Sequence, residues 1–213
     1  MGPSRRVLLV QAAAGVVAGP ALAAASLKPT PQESSGPFFP VIAPKEHDWD
    51  LTRHAGRPGR AKGQVIEIGG RVLRQDGSPA AGAELKIWQA NAAGRYLHAS
   101  DDNVGAAIDP DFEGYAAITA ASDGSWRILT VRPGAYPGGR GLRTPHVHFE
   151  VIGRRHRLTT QMYFPGEPLN EKDFLLSTLG SRALDPKLLI AAAAPQREPG
   201  VDRFAWDIVL RES

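Results

Sequence analysis

Glu84-Leu85-Lys86-Ile87-Trp88-Gln89 alternates polar and apolar residues with a period of two, the pattern of a strand that buries one face and exposes the other. Upstream, Gln64-Val65-Ile66-Glu67-Ile68 and Gly70-Arg71-Val72-Leu73 are strand-like and run into the turn Asp76-Gly77-Ser78-Pro79. Downstream, Gly94 to Pro110 is polar and irregular, long enough to be a functional loop rather than a connection. Tyr115 to Thr119 and Trp126 to Val131 flank Ser122-Asp123-Gly124-Ser125, which predicts a hairpin. Beyond the Pro133-Gly134 break, His146 to Ile152, Leu158 to Phe164 and Phe204 to Leu210 are strand-like, and short helices are expected at Glu171–Leu179 and Pro186–Ala194. Short strands with turns roughly every eight to twelve residues predict an all-β fold, an antiparallel β-sandwich with one or two short helices.

Composition narrows the classes. The 18 Pro and 23 Gly among 213 residues oppose long helices, and 42% hydrophobic content supplies one ordinary core. Residues 1–25 read as a bacterial-type signal peptide: Arg5-Arg6, then an apolar run through Val16-Val17-Ala18, then the small residues Ala21-Leu22-Ala23-Ala24-Ala25. Ser4-Arg5-Arg6-Val7-Leu8-Leu9 resembles a twin-arginine motif, so an exported protein, periplasmic or secreted, is expected; a plain Sec signal is the alternative. The run is broken by Gly15, Gly19 and Pro20, which argues against a stable membrane anchor. Without Arg5 and Arg6 the net charge falls from +3 to +1, and no block of like charge follows, so a nucleic-acid surface is not expected. The absence of cysteine excludes disulfides, thiolate metal sites and a cysteine nucleophile. Residues 26–60 hold six prolines and little periodicity and read as an extended arm, with Phe38-Phe39 placed to pin it; residues 61–213 form the sandwich domain.

His146-Val147-His148 is the sharpest chemical feature. Residues i and i+2 of a strand share a face, so both imidazoles can reach one point, and neutral imidazole suits iron, zinc or copper. Alone, the pair is more often packed or exposed than ligating. Glu150 continues the same face, which leaves a two-histidine, one-carboxylate site open. Tyr136 sits in the rigid turn Pro133-Gly134-Ala135-Tyr136-Pro137, ten residues before His146, and Tyr96 in the polar loop Gly94-Arg95-Tyr96-Leu97-His98. A packed ring is the ordinary reading of each, as it is for Tyr115 and Tyr163, and His98 is as readily an exposed loop residue as a partner of Tyr96. His47, His54 and His156 read as surface residues.

Six stretches taken in order change that reading. They are Thr30 with Gly36-Pro37-Phe38-Phe39-Pro40, Trp88-Gln89-Ala90-Asn91-Ala92-Ala93-Gly94-Arg95-Tyr96-Leu97-His98, Asp109-Pro110-Asp111-Phe112-Glu113-Gly114, Pro133 to Pro137, Arg143-Thr144-Pro145-His146-Val147-His148, and Gln161 to Pro168. Together they resemble the motifs of the intradiol ring-cleavage dioxygenases, particularly the single-sandwich protocatechuate type. The resemblance implies Fe(3+) held by Tyr96, Tyr136, His146 and His148. It implies a small aromatic diol (protocatechuate, catechol or a substituted catechol) and O2 as substrates, and a cis,cis-muconate-type diacid as product. It also implies that Tyr136 leaves the metal and accepts a substrate proton, that Arg143 is an active-site cation, and that Gln161 lines the pocket. Phenolate is a hard anionic donor suited to a ferric ion, whose charge removes a phenol proton at neutral pH.

The chain also departs from the family pattern. Gly138 stands where a tryptophan is common, Ser35 and Phe39 where Glu and Tyr are common, and the Tyr136–His146 connection is short, which leaves the exact catechol open. The N-terminal helical dimerisation segment of the catechol and hydroxyquinol enzymes is missing; the family's mixed assemblies leave room for a homo-oligomer of this chain. Two other readings stay open: a β-sandwich binding module without turnover, and a ferrous enzyme built on His146, His148 and Glu150. Zinc hydrolysis is weaker, because no obvious base accompanies the histidines.

Overall fold

The computed structural model describes residues 26–40, 42, 44–45 and 47–211. The expected signal peptide at 1–25 lies outside the described residues. Two sheets carry the fold. The first is centred on β1 (Val65–Arg74), which pairs antiparallel with β4 (Ser125–Val131) and parallel with both β10 (Asp202–Ala205) and β11 (Ile208–Leu210); β9 (Ala192–Ala194) continues from β10. The second is antiparallel throughout, in the order β3 (Tyr115–Thr119), β2 (Glu84–Trp88), β7 (His146–Ile152), β8 (Arg157–Tyr163). A small hairpin of β5 (Tyr136–Gly138) and β6 (Gly141–Arg143) stands apart from both. The all-β sandwich holds, with one sheet mixed rather than purely antiparallel.

Two local expectations are corrected. The Ser122–Ser125 turn is not a hairpin within one sheet: β3 pairs with β2 and β4 with β1, so the turn carries the chain from one sheet to the other. Its own bonds, Gly124 N–H to the Ala121 carbonyl and Ala121 N–H to the Ser125 carbonyl, satisfy the turn without requiring the flanking strands to pair. The helical segments are also shorter than expected. A 3-10 turn at Pro168–Lys172 precedes α1 (Phe174–Ser181), and Pro186–Leu189 is a 3-10 turn after which the chain extends into β9. No helix of the described residues is long and apolar enough to cross a membrane.

Strand periodicity separates core from site. Leu85 and Ile87 of β2 and Val147, Phe149 and Val151 of β7 are fully buried against Ile66, Ile68 and Ile128 of the facing sheet. Each such side chain contributes roughly 1.5–3 kcal/mol on burial. The alternate residues, Trp88 on β2 and His146 and His148 on β7, project from the other face into a second cluster with Tyr96, Tyr115 and Tyr136. That face is covered by the arm: Phe38 stacks on Tyr96 with ring centroids 4.5 Å apart, and Phe39 meets Trp88 edge-on at 4.9 Å. Glu33 N–H bonds to the Thr159 carbonyl, extending the contact to β8.

Candidate active site and metal centre

The register of the second sheet lays out a row of functional side chains. Trp88 faces His148, His148 faces Gln161, and His146 faces Tyr163. Tyr136 joins from the small hairpin, where it pairs with Arg143, and Tyr96 from the loop after β2. Its backbone N–H bonds to the Asp101 carboxylate, which also lies 3.7 Å from the Arg95 guanidinium.

Four donors converge. His146 Nε2 lies 3.1 Å from His148 Nε2 and 3.2 Å from the Tyr136 hydroxyl, and the Tyr96 and Tyr136 rings meet edge to face at 5.2 Å. All four side chains are buried. His146 Nδ1 is 2.6 Å from the Thr144 carbonyl, which can only accept, so Nδ1 carries the proton and Nε2 presents a lone pair inward.

The electrostatics fit a cation. Burial and the nearby Arg143 depress His146 to about 3, and burial with His146 and Arg143 takes His148 well below its usual range. Both imidazoles are therefore neutral at physiological pH. Burial raises Tyr136, and burial followed by the neighbouring Tyr136 raises Tyr96 well above the ordinary phenol value. The Tyr96 hydroxyl is buried without a hydrogen bond of ordinary geometry. Such an atom costs free energy unless a partner arrives. Two hard phenol oxygens and two imidazole nitrogens in one buried place suit a hard, highly charged ion, whose charge would reverse the upward shift of the phenols.

Glu150 does not join them. It is ion-paired with Lys86 at 3.1 Å and Arg157 at 3.4 Å, and among the described residues no three His, Cys, Asp or Glu side chains gather as a metal site. The structure thus fails to assemble the two-histidine, one-carboxylate alternative.

Arg143 is buried at the edge of the site. Its Nε donates to Asp173 at 2.7 Å and its Nη2 donates to Gln161 Oε1 at 2.7 Å, while the Gln161 amide nitrogen donates to the Ser34 carbonyl of the arm at 2.8 Å. Tyr163, which the sequence places as a packing residue, belongs to this network: its hydroxyl donates to Gln161 Oε1 at 3.1 Å and lies 3.4 Å from Arg143 Nη2. His98 stays on the rim, meeting the edge of Phe38 at 5.9 Å. Trp88, its ring parallel to His148, and Asp173 are the residues that sequence reasoning missed as site components. Trp88 had a signal, its place at the head of the motif that ends at His98; Asp173 had none.

A β-sandwich whose sheet face carries this cluster belongs among the dioxygenases: the family model described as "Dioxygenase" matches residues 34–212. The protocatechuate 3,4-dioxygenase beta chain of Burkholderia cepacia is 38% identical over 175 residues, 80% of this chain and 73% of that one. Catechol 1,2-dioxygenase 1 of Acinetobacter lwoffii is 33% identical over 164 residues, 70% of this chain, which spans only 50% of that relative's length. The solved dioxygenase domain of a dioxygenase–carbohydrate-binding fusion from Streptomyces sp. SirexAA-E superposes with a TM-score of 0.66 at 28% identity, covering 87% of this chain and 100% of that one. The chain belongs to the intradiol ring-cleavage dioxygenase family.

Proposed function

We propose that this chain is an Fe(3+) enzyme that cleaves a small catechol between its two hydroxylated carbons, placing both atoms of O2 in a cis,cis-muconate-type diacid. The convergence of Tyr96, Tyr136, His146 and His148 at one buried point carries the reading. Ferric iron held there would supply a Lewis acid that binds the substrate's oxygens and draws electron density from its ring, opening the ring to O2.

The protein's own groups account for the rest. Tyr136 is the base: it would be a phenolate while the ion holds it and, sitting on a hairpin outside the main sheets, would accept a substrate proton on release. Tyr96, His146 and His148 are the fixed anchors. Arg143, held in place by Asp173 and Gln161, sets a permanent cation beside the ring and opposes the negative charge that develops there. Phe38 and Trp88 enclose the face and keep water from the reacting carbons.

The substrate class follows the relatives, whose names include protocatechuate and catechol enzymes. Arg5-Arg6 and the apolar run that follows support export to the periplasm or beyond by the twin-arginine route. Relatives named as alpha and beta chains support assembly of this chain into oligomers. Product analysis of iron-loaded protein with catechol and protocatechuate tests the reaction: an intradiol diacid is expected, and a product cleaved outside the diol, or none, contradicts it.

A further inference from the structure

Asp173 occupies the N-cap of α1, but its bonds reach well past the helix. One carboxylate oxygen accepts from the Leu175 and Leu176 N–H groups at 3.0 and 3.1 Å, the ordinary duty of a cap. The other accepts from Arg143 Nε at 2.7 Å and from the Thr144 N–H at 3.1 Å. The side chain is fully buried, whereas capping alone needs one acceptor and no burial. Thr144 transmits the contact. Its carbonyl holds His146 Nδ1 at 2.6 Å, and its hydroxyl donates to Asn170 Oδ1 at 3.0 Å in the 3-10 turn that leads to α1. Arg143, fixed at Nε by Asp173, is aimed by Gln161 at Nη2.

We infer that Asp173 is a positioning residue of the active site: its carboxylate fixes the Arg143 guanidinium directly and the His146 ring through the main chain of Thr144, so that the start of α1 sets the geometry of both. The inference rests on the function proposed above. Residues that orient a metal's ligands typically matter ten- to a hundredfold in metal affinity or activity.

The test is a double-mutant cycle on the iron-loaded protein: wild type, Asp173→Asn, Arg143→Gln and the double variant. It reads kcat and KM for catechol, the wavelength of the iron–tyrosinate absorption band, and the melting temperature. Asp173→Asn is expected to lower kcat by about 10- to 100-fold and to shift the band. In the Arg143→Gln background it should cost clearly less kcat than in the wild type while the band shift persists, because the route through Thr144 to His146 is separate. Should Asp173→Asn fail to fold, Asp173→Ser keeps an oxygen for the cap and removes the arm to Arg143. Wild-type kcat and band with only a lower melting temperature, or kcat losses that multiply across the cycle, would overturn the inference. Wild-type protein that neither takes up iron nor turns over catechol would instead defeat the functional reading on which it stands.

Discussion

Trp88 lies flat against His148, their ring centroids 5.0 Å apart and their planes 7° from parallel, as register partners across β2 and β7. The arm closes in as well: a Cβ on Gly36, whose φ is +66°, would come within 3.3 Å of His148 Cε1. The imidazole is clamped by an indole and by a left-handed glycine turn where a side chain would be crowded and strained.

Removing the clamp should loosen the site and cost stability together. Trp88→Ala is expected to destabilise the protein by about 3–5 kcal/mol and to lower its iron content, whereas Trp88→Phe keeps most of both. Chemical denaturation with metal analysis of the purified variants checks this.

Gly138 makes room for Arg143. A Cβ built at Gly138 would lie 2.8 Å from Arg143 Cγ, so Gly138→Ala must push the arginine from its place beside Gln161. A catalytic group displaced by an ångström can cost on the order of 100-fold in rate. The expected result is a kcat reduced by about 10- to 100-fold with little change in melting temperature, measured by steady-state kinetics and calorimetry.

Glu33 gives the arm a pH dependence. Burial raises its carboxyl from 4.5 to about 7 against the pull of Arg182, 4.0 Å away, and of Arg143, with Asp173 adding to the rise. Because the folded value lies above the unfolded one, the fold binds the extra proton. This contribution is fully present below pH 4.5 and is lost as pH rises through 7. Glu33→Gln, neutral at every pH, should therefore melt higher than wild type at pH 8 and show no such advantage at pH 4.5. Melting curves across that range decide it.

A bound metal should stabilise a fold that gathers buried donors. At an iron concentration 1,000 times Kd, linkage predicts about 4 kcal/mol of added stability. Chelated protein should melt well below iron-loaded protein, and Tyr96→Phe/Tyr136→Phe should narrow that gap.

The sequence makes part of this legible and hides part. His146 and His148 are visible as a pair because period two is a local property of a strand, whereas Tyr96 and Tyr136 each read alone as packed rings and stand out only through the motifs that resemble the family's. The partition of Leu85 and Ile87 to the core and Trp88 to the site follows from the same alternation. The pairing of β3 with β2 rather than β4 is not local: an Asp-Gly turn closes equally well between strands that part company. Asp173 and Glu33 are invisible for the same reason. Each is one acid among 22, and only tertiary packing brings Asp173 to Arg143, 30 residues earlier, and buries Glu33 of the arm against the body. Tyr163 reads as packing because it sits in a strand-like run; its hydroxyl's bond to Gln161 depends on side chains two apart on one face of β8.

The central claim, a ferric site built from two tyrosines and two histidines, is tested most directly by the visible absorption spectrum of the iron-loaded protein before and after adding catechol. The expected result is a red-brown tyrosinate-to-iron charge-transfer band that shifts with catechol and disappears in Tyr96→Phe/Tyr136→Phe. A protein shown by metal analysis to be replete with iron and yet colourless would contradict the account.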